Sequence, residues 1–145
     1  MTMHRQVTIT HGEMIAKVDV GIAELISSCW RANVWTLFSC QEITPGRAWI
    51  MFTRVGELER FLAIVAHFGS PDLLLRMWKD TSTRREGKDW EYEMDLFPAI
   101  MLPPDSAPVL RCGIEFPVTD IPLVQSCLEK FSEDCYMVDR HGKVI

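Results

Sequence analysis

The sequence predicts a single α+β domain: a mainly antiparallel sheet with helices packed on one face, in a ferredoxin-like or related arrangement. Three observations lead there. The chain has 145 residues, enough for one domain with a real core. Two stretches place apolar residues at i, i+3, i+4, i+7, while others alternate apolar and polar. The resulting order is β, α, β, β, α, then β, β, α, with no repeat, low-complexity tract or interior linker. One domain therefore spans residues 1–145, with 132–145 expected as a loosely packed tail.

Each element has a local reason. "VTITHGEMIAKV", residues 7–18, reads as a short strand, a His11-Gly12 turn and a second extended piece. Asp19 has the character of an N-cap. Behind it Ile22, Leu25, Ile26 and Cys29 form one helical face, which Trp30 extends and Asn33 stops, giving a helix over 20–32. "VWTLF", residues 34–38, is β-branched and aromatic, so it is a strand. Thr44-Pro45-Gly46 is a turn, and "RAWIMF", residues 47–52, is the returning strand. Thr53 suits the cap of the next helix, whose face is Leu58, Phe61, Leu62 and Val65 and which Gly69 ends. "PDLLLRMW", residues 71–78, fits a short helix or a strand. "WEYEMDLF", residues 90–97, and "LRCGIEF", residues 110–116, alternate as strands with one wet face. Residues 102–108 are a loop. Asp120 suits the cap of a last helix with Pro122 in its first turn and Ile121, Val124, Leu128 and Phe131 inward.

Composition excludes several functions. Hydrophobic residues make up 48% and charged residues 24%, which argues against a disordered chain. Net charge is −5, which argues against binding to a nucleic-acid backbone. The most basic stretch, residues 79–89, nets only +1 and reads as a solvated loop. No run of 18 apolar residues exists, so no membrane-spanning helix is expected. The N-terminus lacks an apolar secretory region, and a cytoplasmic location is the expectation. The five cysteines include no C-x-x-C, and the four histidines have no cysteine two to four residues away. That pattern argues against a disulfide scaffold and against zinc, so neither a metal nor a cofactor is expected.

Alternation in the central hairpin raises a second issue. It puts Trp35 and Leu37 on one face with Trp49 and Met51, opposite the face that helices cover. Leaving such side chains in water forfeits about 1.5–3 kcal/mol each. The face is therefore expected to be covered by another segment of the chain, by a second copy in a homodimer, or by a ligand.

"TLFSCQE", residues 36–42, ends a strand in Ser39-Cys40-Gln41. The bland reading is a half-buried cysteine and a serine that hydrogen-bonds the turn. Ligand contact and covalent chemistry remain alternatives. A reactive thiol needs a neighbouring histidine, cation or helix N-terminus, and the sequence identifies none.

"VDVGIAELISSCWRANVWTLFSCQE", residues 18–42, resembles a segment of uncharacterised small proteins of bacteria and their phages, where such a helix leads to a strand ending Ser-Cys-Gln. It also distantly resembles the start of the wyosine-tRNA methyltransferase family, in which a similar helix precedes a Ser-Ser-Cys-Ser-Gly-Arg motif. Asp19, Gly21, Ile22, Ser39 and Cys40 match that family. Phe38 stands at its earlier Ser, and Gln41, Glu42 and Ile43 stand at its Ser-Gly-Arg. This resemblance implies an S-adenosylmethionine-dependent enzyme with its site around Ser39, Cys40 and Gln41.

Outside that segment no Gly-rich phosphate loop, G-x-S-x-G elbow, H-E-x-x-H or paired-carboxylate motif occurs. The reading that the residues favour is a non-catalytic ligand-binding or interaction domain, with no catalytic residue assigned. Its candidate binding residues are Ser39, Cys40, Gln41, Trp35 and Trp49.

Overall fold

The computed structural model describes residues 4–78, 89–97 and 109–135. The loop at 102–108, the last ten residues and most of the basic stretch lie outside them. Within them the chain is an α+β domain of six strands and four helices.

β1 (Gln6–His11) and β2 (Met14–Asp19) form an antiparallel hairpin. Gly12 opens its turn at φ +60, a conformation that suits glycine. A 3-10 turn (Val20–Ile22) then leads into α1 (Ala23–Arg31), which buries Leu25, Ile26, Cys29 and Trp30. Asn33, at φ +63, ends the helical run in the left-handed conformation that asparagine tolerates. Asp19 makes no cap hydrogen bond. Tertiary partners hold its carboxylate instead.

β3 (Thr36–Thr44) and β4 (Arg47–Phe52) form the central hairpin across a turn with Gly46 at φ +77. β3 is longer than alternation suggests, so Ser39, Cys40 and Gln41 lie within the strand rather than at its exit. Its register with β4 also shifts twice. Thr36 pairs with Phe52, Phe38 with Met51 and Cys40 with Trp49, followed by a second irregularity before Thr44. The first bulge corrects the expected face. An extra residue at Leu37 puts Phe38 opposite Met51, so simple period-2 counting fails across it. Met51 is only 7% exposed, whereas Phe38 is 57% exposed.

α2 (Val55–Phe68) follows with Arg54 as its boundary and no side-chain cap, so Thr53 is not the cap. Residues 71–77 resolve as α3 (Pro71–Met77). Ser70 Oγ accepts from the Leu73 N–H, and Pro71 occupies the first turn. β5 (Glu91–Phe97) and β6 (Val109–Pro117) complete a four-stranded sheet of order β3-β4-β6-β5, antiparallel throughout. The run β4, α2/α3, β5 with β6 between them is one split β-α-β unit. The described residues contain one such unit, where a ferredoxin-like domain has two. A 3-10 turn (Val118–Asp120) starts α4 (Ile121–Cys135), whose Val124, Cys127 and Leu128 are buried. No helix among the described residues is long and apolar enough to cross a membrane.

The core lies between the helices and one sheet face. Ala48, Ile50 and Phe52 from β4 and Cys112, Ile114 and Phe116 from β6 are buried there. An aromatic chain runs through it, from Phe52 to Phe61 to Trp90 to Phe116, with ring centroids 5.2, 6.3 and 4.9 Å apart. Trp90 must also satisfy its indole N–H, and it donates to Asp120 Oδ2 at 3.0 Å. Arg76 grips the same carboxylate in a fork, at 2.7 and 3.0 Å. This explains why Asp120 is 2% exposed at a position read as a cap. It ties α3, the start of β5 and α4 together.

Asp120→Ala leaves a buried indole N–H and a mostly buried guanidinium without their acceptor, so it should cost about 3 kcal/mol. Thermal unfolding should fall by about 10 °C. A mutant melting within 2 °C of the parent, on the order of half a kcal/mol, would remove the assigned role.

Candidate functional site

The hairpin β1–β2 lies against β3, an edge of the main sheet. An edge strand presents unpaired backbone groups and needs cover. Here side chains provide it. Asp19 Oδ2 accepts from the Gln41 N–H at 3.0 Å. Gln41 Oε1 in turn accepts from the Gly21 N–H at 2.6 Å. The exchange is reciprocal: each segment satisfies a backbone donor of the other. It needs glycine at position 21, because a Cβ there would sit 2.6 Å from Gln41 Oε1. Gln6, opposite Asp19 in the hairpin, donates to Asp19 Oδ1 at 3.4 Å and helps to orient the carboxylate.

A pocket of about 770 Å³ opens at this junction. His4, Gln6, Asp19 and residues 39–45 line it. Ser39, Cys40 and Gln41, the expected ligand-contact residues, are thus brought together on its wall. Trp35 and Trp49 are not among the lining residues. Trp35 is half-buried with His11 6.4 Å away, and its backbone N–H donates to Glu57 Oε2 at 3.1 Å. Trp49 pairs with Cys40 across the ladder and donates its indole N–H to Glu93 Oε1 at 2.6 Å.

His4 and Gln6 escaped sequence reasoning, and so did Asp19 as a site residue. One nitrogen of His4, one oxygen of Asp19 and the Cys40 sulfur lie within 4.8 Å of one another. Sequence offers no local signal for this, since the three residues belong to different segments. His4 Nδ1 stands 3.6 Å from Asp19 Oδ2, within ion-pair range but beyond a hydrogen bond.

The thiol is not primed for attack. Burial pushes the Cys40 thiol up, the neighbouring Asp19 carboxylate pushes it further, and a hydrogen bond from the Glu42 backbone offsets only part. Nucleophilic cysteines need the opposite shift. Burial likewise raises Cys29, Cys112 and Cys127. Cys40 is the most accessible of these four.

The chain matches no protein-family model, no curated protein and no solved structure.

At pH 7, iodoacetamide should alkylate Cys40 no faster than a free thiol, as read by peptide mass spectrometry. Burial is the larger cause, but Asp19→Asn removes a charge that adds to it, so labelling should speed up. Labelling of the parent faster than a free cysteine would contradict the assigned electrostatics.

Proposed function

We propose that this chain is a non-catalytic binding domain whose ligand site is the pocket at the β2–β3 junction. The observation that carries this reading is convergence. Polar groups from the N-terminal segment, the end of β2 and the bulged part of β3 meet at one pocket, built by the reciprocal Asp19–Gln41 contacts. Pockets that hold small molecules are concave and carry a few placed polar groups of this kind.

The lining indicates the ligand class. Asp19 and Glu42 supply negative charge, while Ser39, Thr44 and the glutamines add hydrogen-bonding atoms. Ile43 and Pro45 are the apolar walls. A small, polar, positively charged ligand complements that surface. The site thereby shifts from the aromatic sheet face to the sheet edge.

The rival is an S-adenosylmethionine-dependent enzyme centred on Ser39, Cys40 and Gln41. The raised thiol weighs against covalent catalysis there.

Two titrations by thermal shift test this. The diamine putrescine and the guanidine agmatine should each stabilise the protein saturably, and Glu42→Gln should weaken the effect. S-adenosylmethionine should give no shift. A bound cofactor at 100 times its dissociation constant would add about 2.7 kcal/mol, which is several degrees. A saturable cofactor shift that weakens in Ser39→Ala or Gln41→Ala would sink the non-catalytic reading.

A further inference from the structure

Within that pocket, His4, Asp19 and Cys40 present an imidazole nitrogen, a carboxylate oxygen and a sulfur to a common point. Two features set this trio apart from a chance cluster. His4 Nδ1 is buried and has no hydrogen-bond partner among the described residues. Buried polar atoms are nearly always satisfied, so this nitrogen calls for an explanation. In addition, Asp19 is already oriented by Gln6 and by the Gln41 N–H. Such outer contacts characterise carboxylates that hold metals.

We propose that His4, Asp19 and Cys40 bind one divalent transition-metal ion of the zinc class. The inference rests on the pocket being a binding site. The donor set selects the ion. Calcium and magnesium take oxygen ligands, whereas imidazole with thiolate suits zinc or cobalt. A neutral imidazole, one carboxylate and one thiolate balance a divalent charge. Zinc–ligand bonds of about 2.0–2.3 Å in a tetrahedron put ligand atoms about 3.3–3.8 Å apart. The His4–Asp19 separation of 3.6 Å already lies in that range. The widest pair, at up to 4.8 Å, needs to close by about 1 Å. His4 sits on the segment before β1 and Cys40 beside a bulge, so side-chain rotation at either can supply the closure.

Three protein ligands leave the fourth tetrahedral position facing the pocket. That is the pattern of zinc sites that bind an exogenous group rather than of closed structural sites. The expectation of no zinc relied on ligands arriving in close sequence pairs. Here the hairpin and the Asp19–Gln41 contact bring together residues 15 and 21 positions apart in sequence (19 − 4 and 40 − 19).

The test uses the full chain, reduced and stripped with a chelator, titrated with Co2+ and read by absorption. The expected result is one equivalent of Co2+, with a thiolate-to-cobalt charge-transfer band that Zn2+ abolishes by displacement. Cys40→Ser should eliminate the band. His4→Ala should weaken binding by at least about tenfold, the loss that even an outer-shell change can cause. His4 Nδ1 makes no hydrogen bond among the described residues and only an ion-pair contact with Asp19, and thermal unfolding of the variant checks that the fold is kept.

A band that survives Cys40→Ser, or no band at millimolar Co2+, overturns the proposal and leaves a histidine–aspartate ion pair only. Putrescine and agmatine are titrated into the same stripped protein. If they still stabilise it when Co2+ does not bind, the metal falls and the binding pocket stands. If neither they nor Co2+ binds, both fall.

Discussion

One carboxylate joins the two parts of this molecule. Asp19 ends β2, and its Oδ2 takes the Gln41 N–H of the edge strand β3. Gln41 reciprocates through the Gly21 N–H. Hydrogen bonds to charged groups are worth about 1.5–3 kcal/mol each, more than neutral ones. One such bond and one neutral bond thus link the end of the two-stranded hairpin and the turn after it to the four-stranded sheet, with which the hairpin forms no continuous ladder. The pocket lies where this link joins the hairpin to the sheet, lined by the stretch of β3 whose register with β4 shifts after Cys40.

Structure and candidate function therefore share atoms. The carboxylate that clamps the edge strand also raises the Cys40 thiol and faces His4. Gly21 is needed for close approach, and Gln41 is needed as both backbone donor and side-chain acceptor. Asp19, Gly21, Ser39 and Cys40, which lie in two separate stretches of the chain, meet at this junction. Ile22, next to Gly21, is fully buried in the core. A segment that reads as helix-plus-strand thus encodes a tertiary contact.

What the sequence made legible was whatever local chemistry decides. The helical faces, both hairpin turns and the strand 47–52 follow from periodicity and from Gly12 and Gly46. The run 71–78 read equally as helix or strand, and the structure makes it a helix capped by Ser70. The carboxylates of Asp19 and Asp120 are held in the same way. Both residues precede helical runs and look like caps, and local sequence gives no sign of the tertiary donors that hold them: the Gln41 N–H for Asp19, which makes no cap hydrogen bond, and Arg76 with Trp90 for Asp120. The extra residue at Leu37 was invisible because a bulge has no fixed sequence signature. Of the site, Ser39, Cys40 and Gln41 were legible as a strand end with side chains suited to ligand contact, although the strand runs on through them to Thr44. His4 and Gln6 were not, since only the hairpin's docking brings them near.

The central claim is that the Asp19 carboxylate holds the edge strand and so builds the pocket. Hydrogen exchange at the Gln41 amide measures this most directly, in the parent and in Asp19→Ala. Protection at Gln41 should fall by about tenfold, close to the worth of one hydrogen bond to a charged acceptor. Protection at Ile50 and Ile114, in the paired centre of the sheet, should hold. Unchanged protection at Gln41 would contradict the account, because the amide would then owe its shelter to something other than Asp19.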